Sequence, residues 1–600
     1  MSRDFSPIEL LKDYFLFFVI TLLAFLAGKN ILFCAGLNFL VPFFIVFFLT
    51  NKFTPKAYFV YGMAFVFMQL VPISLSLLPL RIGALFYCFG ILTIGLHLHS
   101  KYIIKKIKYE KLKGKLHIIA LMMRKLANNL DIEKERKNLK DTLPALNQLI
   151  YSTRNYKYLA NDYGKVLYWF MMVFQRILYF IKLYPEIEDE EKKYFEDLAQ
   201  LFENIGNELG VKKNSEIIQE IESFLDFKYK ISSDKEKAMR EILNLVKLSI
   251  SHIDQKKNTG YDKEWKITKD KKKLTKNKNE SYLNIFQIRF ALRLSLVLAI
   301  SFSFNYITKF EHAYWFPMSS FLMLMPYAEE SKMKINNRIL GTFGGIFICW
   351  LFMSLGNSIP YKIIVIILMT IFMYISPITS WTMTMYTTCY GMTLATIALD
   401  LEKASLLRVI YVFLAAILTT LANNYILPNT SKREFKKNID ELFELDKHLI
   451  VELRKKVKGE GNITDFRHLM MEHNMLINEI KSYISKNLPE QDRKIYEEML
   501  EINNLLIVEL EQINSYIHYR ESIFKDNLIL DEILKNIEDA LRRICYSYTH
   551  NELESFINLE DNSEVFGKLA EDIYFNNLVL SSMKTVRELE RVHLNCAKKV

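Results

Sequence analysis

The feature that most constrains this chain is a set of apolar runs, each close to the length of a membrane-spanning helix and grouped in two blocks. A bilayer core about 30 Å thick needs about 20 apolar helical residues, because each helical residue rises about 1.5 Å. The first block holds four runs and the second holds six, at approximately 10–28, 31–50, 57–78, 81–99, 285–307, 313–327, 338–356, 361–377, 379–399 and 405–427. We therefore predict an all-α, polytopic membrane protein, with a span count of ten to within one or two.

Two long polar stretches follow the apolar blocks. The chain therefore divides into a first transmembrane block (1–99), a cytoplasmic helical domain (100–284), a second transmembrane block (285–427) and a C-terminal cytoplasmic helical domain (428–600). Near the C-terminus, apolar residues recur every three or four positions, which is typical of one face of an amphipathic helix. They are Ile495, Met499, Ile502, Leu506, Ile513 and Tyr516. Such a face usually packs into a core, which we favour over a partner-binding surface.

Clusters of lysine beside the apolar runs predict the topology. Seven lysines lie between positions 101 and 115, and eight lie between 263 and 278. Each lysine near an anionic inner leaflet contributes about 1 kcal/mol, so both clusters are expected in the cytoplasm. Even numbers of spans on either side then place both termini inside. The net charge of +11 would also suit a nucleic-acid partner. We favour a membrane anchor and predict no nucleic-acid binding, because the lysines lie next to the apolar runs.

The segment 166–184 is apolar enough to suggest an eleventh span. Gln175 and Arg176 interrupt its middle, and an arginine at the bilayer centre costs at least about 2.5 to 3.5 kcal/mol. An extra span would also break the parity that the lysine clusters support. We therefore interpret this segment as a buried helix of the first cytoplasmic domain.

The charges inside the predicted spans are arginines. Apart from residues at the edges, the runs contain no Asp or Glu, so no proton or cation relay is visible. Arg293 and Arg408 lie within spans, and Arg289 and Arg338 lie at inner edges. Arg289 and Arg293 share one helix face, where they either reach lipid phosphates or hold an anionic ligand. An interior of this kind favours anions over cations.

The region 312–345 is the densest group of unusual residues. Pro317 and Pro326 bracket an apolar run, which predicts a helix break whose freed carbonyls line a cavity. Gly341 and Gly345 form a GxxxG pair, which predicts close helix packing. The ninth run is rich in threonine, and Tyr386, Tyr390 and Thr393 are its candidates for a polar, aromatic path.

Signatures of enzymes and metal sites are weak. The eleven histidines show no HExxH spacing, the six cysteines form no Cys-x-x-Cys pair, and no GxSxG elbow occurs. We predict that the protein is not an enzyme and that it uses no metal and no cofactor.

The run YWFPMSSFLMLMPYAEESKMKINNRILGTFGG, read with RFALRLSLVLA upstream, resembles the fusaric acid resistance protein-like (FUSC) family, which includes the bacterial aromatic acid exporters. The matching elements are Arg289, Arg293, Tyr314, Trp315, Pro326, Arg338, Gly341, Thr342 and Gly345. The arrangement of two membrane blocks, each followed by a helical region, also resembles that family. The first block lacks the arginine and Gly-Thr elements of the second.

The resemblance implies export of organic anions, typically aromatic or amphipathic carboxylates, across a bacterial inner membrane. The alternatives are an anion channel and a membrane scaffold whose cytoplasmic domains bind partners. The expected partners are the lipid bilayer and a small organic anion. The formation of a homo-oligomer stays open. So does the association with a periplasmic adaptor, which only the resemblance suggests. We expect Arg293→Ala to abolish export but not membrane insertion. The predicted substrate-binding residues are Arg289, Arg293, Tyr314, Trp315, Arg338, Thr342, Tyr386, Tyr390 and Thr393.

Overall fold

The computed structural model describes residues 7–99, 109–154, 158–253, 265–267, 286–377, 379–520, 524, 527–550 and 573–597. These residues are mainly α-helical and contain no β-strand, apart from isolated bridges between Asn51 and Thr54 and between Tyr158 and Lys266. The predicted all-α class is therefore confirmed. Much of both lysine-rich segments, including 101–108 and 268–278, lies outside the described residues, and the topology stays a prediction.

The helices in chain order are α1 (Pro7–Ala27), α2 (Ile31–Leu49), α3 (Phe59–Leu70), α4 (Leu78–His99), α5 (Glu110–Ala127), α6 (Glu133–Lys140), α7 (Leu143–Ser152), α8 (Asp162–Leu183), α9 (Lys192–Glu208), α10 (Asn214–Asp226), α11 (Ser233–Ser251), α12 (Phe286–Thr308), α13 (Trp315–Met323), α14 (Ala328–Leu355), α15 (Ile359–Ile375), α16 (Trp381–Ala395), α17 (Leu401–Tyr425), α18 (Ser431–Val457), α19 (Ile463–Asn487), α20 (Glu490–Tyr519), α21 (Leu528–His550) and α22 (Ile573–Ala597).

The described residues form two compact units, each made from two separate stretches. The described residues from 7 to 97 and from 286 to 434 form one unit, which we call the membrane unit. Those from 98 to 267 and from 435 to 597 form the other, which we call the helical unit. The two apolar blocks therefore fold together. The two polar stretches, which the sequence analysis treats as separate domains, also fold together. The cytoplasmic location of the helical unit stays a prediction.

Helices α1–α4 and α12–α17 of the membrane unit lie at the ten apolar runs. Among the described helices, α1, α2, α4, α8, α12, α14 and α17 are long and apolar enough to cross a membrane. The chain is thus a multi-pass membrane protein. Helices α3 and α15 are apolar but shorter. Helix α13 has nine residues and is only about 14 Å long, so it does not cross as one helix, and the count of ten spans stays a prediction.

The core of the membrane unit draws on both apolar blocks. Helix α2 packs along α12, and α3 contacts α13. The Tyr58 ring, which is fully buried, meets the Phe290 ring at 5.0 Å and the Phe321 ring at 6.3 Å between centroids. A Cβ added to Gly62 would lie 3.0 Å from Phe321, so the small residue lets α3 approach closely. The two blocks thus share a hydrophobic core.

Helix α8 lies inside the helical unit, where α7 and α11 pack against it. Its only arginine, Arg176, donates hydrogen bonds from Nε and Nη2 to the Glu511 carboxylate, each at 2.9 Å, and from Nη2 to Ser515 at 2.8 Å. Both partners of this ion pair are nearly inaccessible to solvent. The Glu511 carboxylate thus neutralises the Arg176 charge inside the helical unit. This ion pair explains how so apolar a helix carries a charge at its centre.

The amphipathic stripe predicted near the C-terminus lies on α20. Five of its six residues are buried, and Ile495 is half-buried. Helix α20 packs mainly against α22. The stripe therefore forms core within the helical unit.

Candidate functional site

Four arginines are buried in the membrane unit: Arg289, Arg293, Arg338 and Arg408. The effective cost of moving an ion out of water is several kcal/mol, so a buried guanidinium is expected to have partners. The partners of each arginine therefore indicate whether its charge serves the fold or remains available to a ligand.

Arg293 contacts the break that follows α13. The helix ends at Met323, three residues before Pro326, because the residue that precedes a proline disfavours helical geometry. The Nη2 group of Arg293 donates to the carbonyl oxygens of Met325 at 3.1 Å and Pro326 at 2.6 Å. The break and its freed carbonyls thus occur before Pro326, whereas Pro317 lies inside α13, and the cavity stays a prediction. Arg293 binds these carbonyls through Nη2, a contact that the sequence does not reveal, while its Nε and Nη1 groups are buried and lack a hydrogen-bond partner among the described residues. The contact stabilises the break, and the ligand-binding role of Arg293 stays a prediction.

Arg289, one turn earlier on α12, has a similar environment. Its Nη2 group donates to the carbonyl oxygen of Pro428 at 2.8 Å, where the chain leaves α17. Both arginines of the predicted pair therefore contact backbone carbonyls at chain segments next to membrane helices. Arg289 does not need a lipid phosphate or a ligand to find a hydrogen-bond acceptor.

Arg338 and Arg408 differ from that pair. Helix α14 carries Arg338 and packs against α17, which carries Arg408. Nε and Nη2 of Arg338 and Nε of Arg408 are buried and lack a hydrogen-bond partner among the described residues. The Arg338 charge and the Tyr314 hydroxyl both lie close enough to the Arg408 guanidinium to interact with it electrostatically. In the described part of the chain, neither arginine forms an ion pair with a carboxylate. Two like charges are thus buried near each other without a balancing anion.

Aromatic rings at the start of α13 and in the turn before it lie beside Arg408. The Arg408 guanidinium carbon is 5.0 Å from the centroid of the Trp315 ring. The Trp315 ring is 4.9 Å from the His312 ring and 6.0 Å from the Tyr314 ring. His312 Nδ1 and the Tyr314 hydroxyl are 3.0 Å apart. His312 adopts a φ of 53° in the turn that leads into α13. The turn thus places Trp315 over Arg408, where a cation–π contact is favourable.

The other predicted site residues make local contacts. The Thr342 hydroxyl donates to the carbonyl of Arg338 at 2.7 Å, and Thr393 donates to the carbonyl of Cys389 at 2.9 Å. Tyr386 stacks on Phe372 of α15 with a centroid distance of 5.3 Å. Tyr390 is half-buried in a core cluster. The two threonine hydrogen bonds stay within α14 and α16, and the Tyr386 ring connects α16 to α15. A substrate-binding role for these residues stays a prediction.

Gly341 and Gly345 lie where α14 meets α16. A Cβ on Gly341 would be 2.5 Å from Cβ of Thr384, and one on Gly345 would be 2.5 Å from the carbonyl oxygen of Met385. Such distances are far below normal contact. The absence of side chains at both positions therefore permits the close packing of the two helices.

Arg408 is the residue that sequence reasoning leaves without a role. The sequence reveals it as one of two arginines within the spans, in an apolar run without an acidic partner nearby. Its proximity to Trp315 and Arg338 depends on tertiary packing. No cluster of His, Cys, Asp and Glu suited to a metal ion occurs in the described ranges.

Comparison with known proteins agrees with the predicted resemblance. Residues 296–422 match the family model described as fusaric acid resistance protein-like, which confirms the resemblance over the segment from α12 to α17. The chain is also 23% identical over 268 residues to the inner membrane protein YccS of Escherichia coli (strain K12). The match covers 43% of this chain and 35% of that relative, so it spans about a third of the relative's length.

Proposed function

We propose that this chain is an inner-membrane transporter that exports aromatic or amphipathic organic carboxylates. One observation carries the proposal: the membrane unit buries Arg338 and Arg408, which have no balancing carboxylate among the residues described. A guanidinium stays charged at any physiological pH, so its positive charge persists inside the protein. Such an interior favours an anionic ligand over a cationic one.

The comparisons support the same class of function. The matched family is described by resistance to an acid, and an organic acid with an ordinary carboxyl pKa is an anion at neutral pH. Export is one way to produce resistance. The relative is named as an inner membrane protein, and the apolar helices of this chain suit that location.

The remaining details of the proposal come from the sequence. Both termini lie in the cytoplasm of a bacterial cell, since the lysine-rich segments beside the apolar runs favour the inner leaflet. The helical unit then lies in the cytoplasm. A homo-oligomer and a periplasmic adaptor remain compatible with this arrangement.

A passive anion channel is the second candidate. The predicted spans contain no acidic residue away from their edges, so they offer no proton relay that would couple export to a gradient. Currents across a planar bilayer that follow an anion gradient would favour a channel. Flux too slow to give currents would favour a carrier.

A membrane scaffold is the candidate from a different class. The helical unit includes the described residues from 98 to 267 and from 435 to 597, which is more than a minimal transporter needs. Purification of a stoichiometric partner, together with no measurable flux of any anion, would favour this function.

The first test is the accumulation of labelled carboxylates in cells with and without the protein. We expect cells that contain it to accumulate less benzoate or cinnamate, because export opposes entry. Benzamide, a neutral molecule of nearly the same shape as benzoate, is the matched control and should accumulate equally in both. Equal accumulation of every carboxylate, with the protein present in the membrane fraction, would contradict the proposal.

A further inference from the structure

We propose that Arg338 and Arg408 form a carboxylate-binding site within the membrane unit, and that the structure represents its closed state, with Trp315 covering Arg408. The inference rests on the proposed function, for which it specifies the residues that recognise the anion.

The first argument comes from the free donors of Arg338. Nε and Nη2 lie on one edge of the guanidinium and point the same way. Both are buried and lack a hydrogen-bond acceptor in the described ranges. A carboxylate has two oxygens at the spacing of this edge, and the resulting bidentate pair is among the stronger hydrogen-bonded interactions in proteins. The unpartnered edge therefore matches this ligand chemistry.

The second argument comes from charge. Arg408 is 3% exposed, and Arg338 is 6% exposed and acts electrostatically on it. Two positive charges in a medium of low polarity repel each other and lose hydration. Arginine does not relieve this cost by losing a proton under ordinary conditions. An anion between the two guanidinium groups would relieve it, whereas Arg289 and Arg293 each already donate to a backbone carbonyl through Nη2.

The third argument comes from position. Arg338 lies ten residues after the start of α14, and Arg408 lies seven residues after the start of α17. These intervals correspond to about 15 and about 10 Å along the helices. Arg338 begins the apolar part of α14, but both side chains are buried within the protein, so a small soluble anion is the ligand for which we argue. A lipid phosphate is the competing source of an oxyanion, and the experiment below separates the two.

The covering of the site follows from α13. Trp315 is the first residue of this nine-residue helix, which lies between a turn with positive φ at Lys309 and His312 and the extended residues that follow Met323. Short non-helical links, 309–314 and 324–327, join it to α12 and α14, so its first turn can shift without moving either long helix. Because Trp315 lies over the buried Arg408 guanidinium, we place the opening of the site at this ring.

The experiment measures binding of labelled benzoate to the purified full-length protein in nanodiscs of neutral phosphatidylcholine. We expect the wild type to bind benzoate, with competition by unlabelled benzoate but not by benzamide. Arg338→Gln and Arg408→Gln should each weaken binding at least about tenfold, as expected for loss of a charged, bidentate contact. Arg338→Lys, which keeps the charge but lacks the planar edge, should also weaken binding.

Arg81→Gln is the matched control. Arg81 is in the same unit, but its guanidinium donates to the backbone carbonyls of Met68 and Val71. This variant should bind benzoate as the wild type does. Trp315→Ala tests the closed state without removing a charge, and it should increase the rate of benzoate binding.

Several results would overturn the inference. They are the absence of benzoate binding by the wild type, unchanged affinity in folded Arg338→Gln and Arg408→Gln variants, and an unchanged binding rate in Trp315→Ala. Displacement of benzoate by phosphatidylglycerol but not by other carboxylates would assign the site to lipid. If Arg408→Gln does not fold, the affinity of Arg338→Lys for benzoate and the comparison of benzoate with benzamide still test the inference. Binding without export would contradict the proposed function alone, whereas export unaffected by either arginine would contradict this inference alone.

Discussion

The guanidinium of Arg408 on α17 lies 5.0 Å from the centre of the Trp315 ring, at the first residue of α13, ninety-three positions earlier in the chain. A desolvated cation–π contact contributes about 2 kcal/mol. The effective cost of burying an ion is several kcal/mol, so the ring alone does not offset it. The contact therefore leaves a charge that an anionic ligand would neutralise.

Arg293→Ala should reduce the stability of the folded protein. The substitution removes two hydrogen bonds to the carbonyls of Met325 and Pro326, each worth about 1.5 to 3 kcal/mol to a charged donor. We expect a lower thermal unfolding midpoint in detergent and an intermediate value for Arg293→Lys. Lys332→Ala, at an exposed position on α14, is the control. An Arg293→Ala protein that keeps the wild-type midpoint but loses export would contradict this stabilising role and support the predicted ligand-binding role.

Gly345→Ala should destabilise the contact between α14 and α16. The new Cβ would lie 2.5 Å from a backbone oxygen, which cannot move aside as a flexible side chain can. Overpacking of this kind typically costs about 1 to 3 kcal/mol. Gly391→Ala on α16 is the matched control, since an added Cβ there meets nothing within 4 Å. Thermal unfolding of both variants checks the prediction, and equal midpoints would show that the helices do not pack this closely.

Glu511→Gln should strongly destabilise the helical unit. It leaves the Arg176 charge buried without its partner, and breaking one side of a buried ion pair usually costs about 3 to 5 kcal/mol. Replacing both residues with apolar ones of similar size should cost much less. The exposed pair of Arg493 and Glu497 is the control, where Glu497→Gln should change stability by less than about 1 kcal/mol. Denaturant unfolding of the four proteins measures these differences; similar losses at both pairs would contradict the burial of α8.

The packing of α22 should weaken as the pH rises. Glu509 of α20 accepts hydrogen bonds from Ser581 at 2.5 Å and Tyr179 at 3.2 Å, and burial raises its pKa from 4.5 to about 7. The folded chain therefore holds this proton where the unfolded chain has released it. Stability falls as the pH rises from about 4.5 to about 7.

Hydrogen exchange in residues 573–597 measures this effect after correction for the intrinsic pH dependence of exchange. We expect protection to decrease between about pH 4.5 and about pH 7 in the wild type. Glu509→Gln stays neutral throughout and should lack the decrease. A wild type and variant with the same pH profile would show that Glu509 does not titrate in this range.

The sequence predicts the membrane helices well because a bilayer demands long apolar runs, and each of the ten runs contains a helix. It also distinguishes α8 from a span through Arg176. The partner of that arginine, Glu511, is 335 positions away, and no local pattern indicates which distant stretches fold together. For the same reason, Arg338 is predicted from its local motif, whereas Arg408 acquires a role only when packing brings it to Trp315. The carbonyl contacts of Arg293 likewise depend on the position of the broken α13.

The most direct measurement is efflux of labelled benzoate from proteoliposomes that contain the purified protein. We predict that the wild type and Arg81→Gln release benzoate faster than protein-free liposomes, that release of benzamide is unaffected, and that Arg408→Gln reduces benzoate efflux at least about tenfold. Benzoate efflux from wild-type proteoliposomes at the protein-free rate, or full efflux from correctly folded Arg408→Gln, would contradict the account of an arginine-lined path for carboxylates.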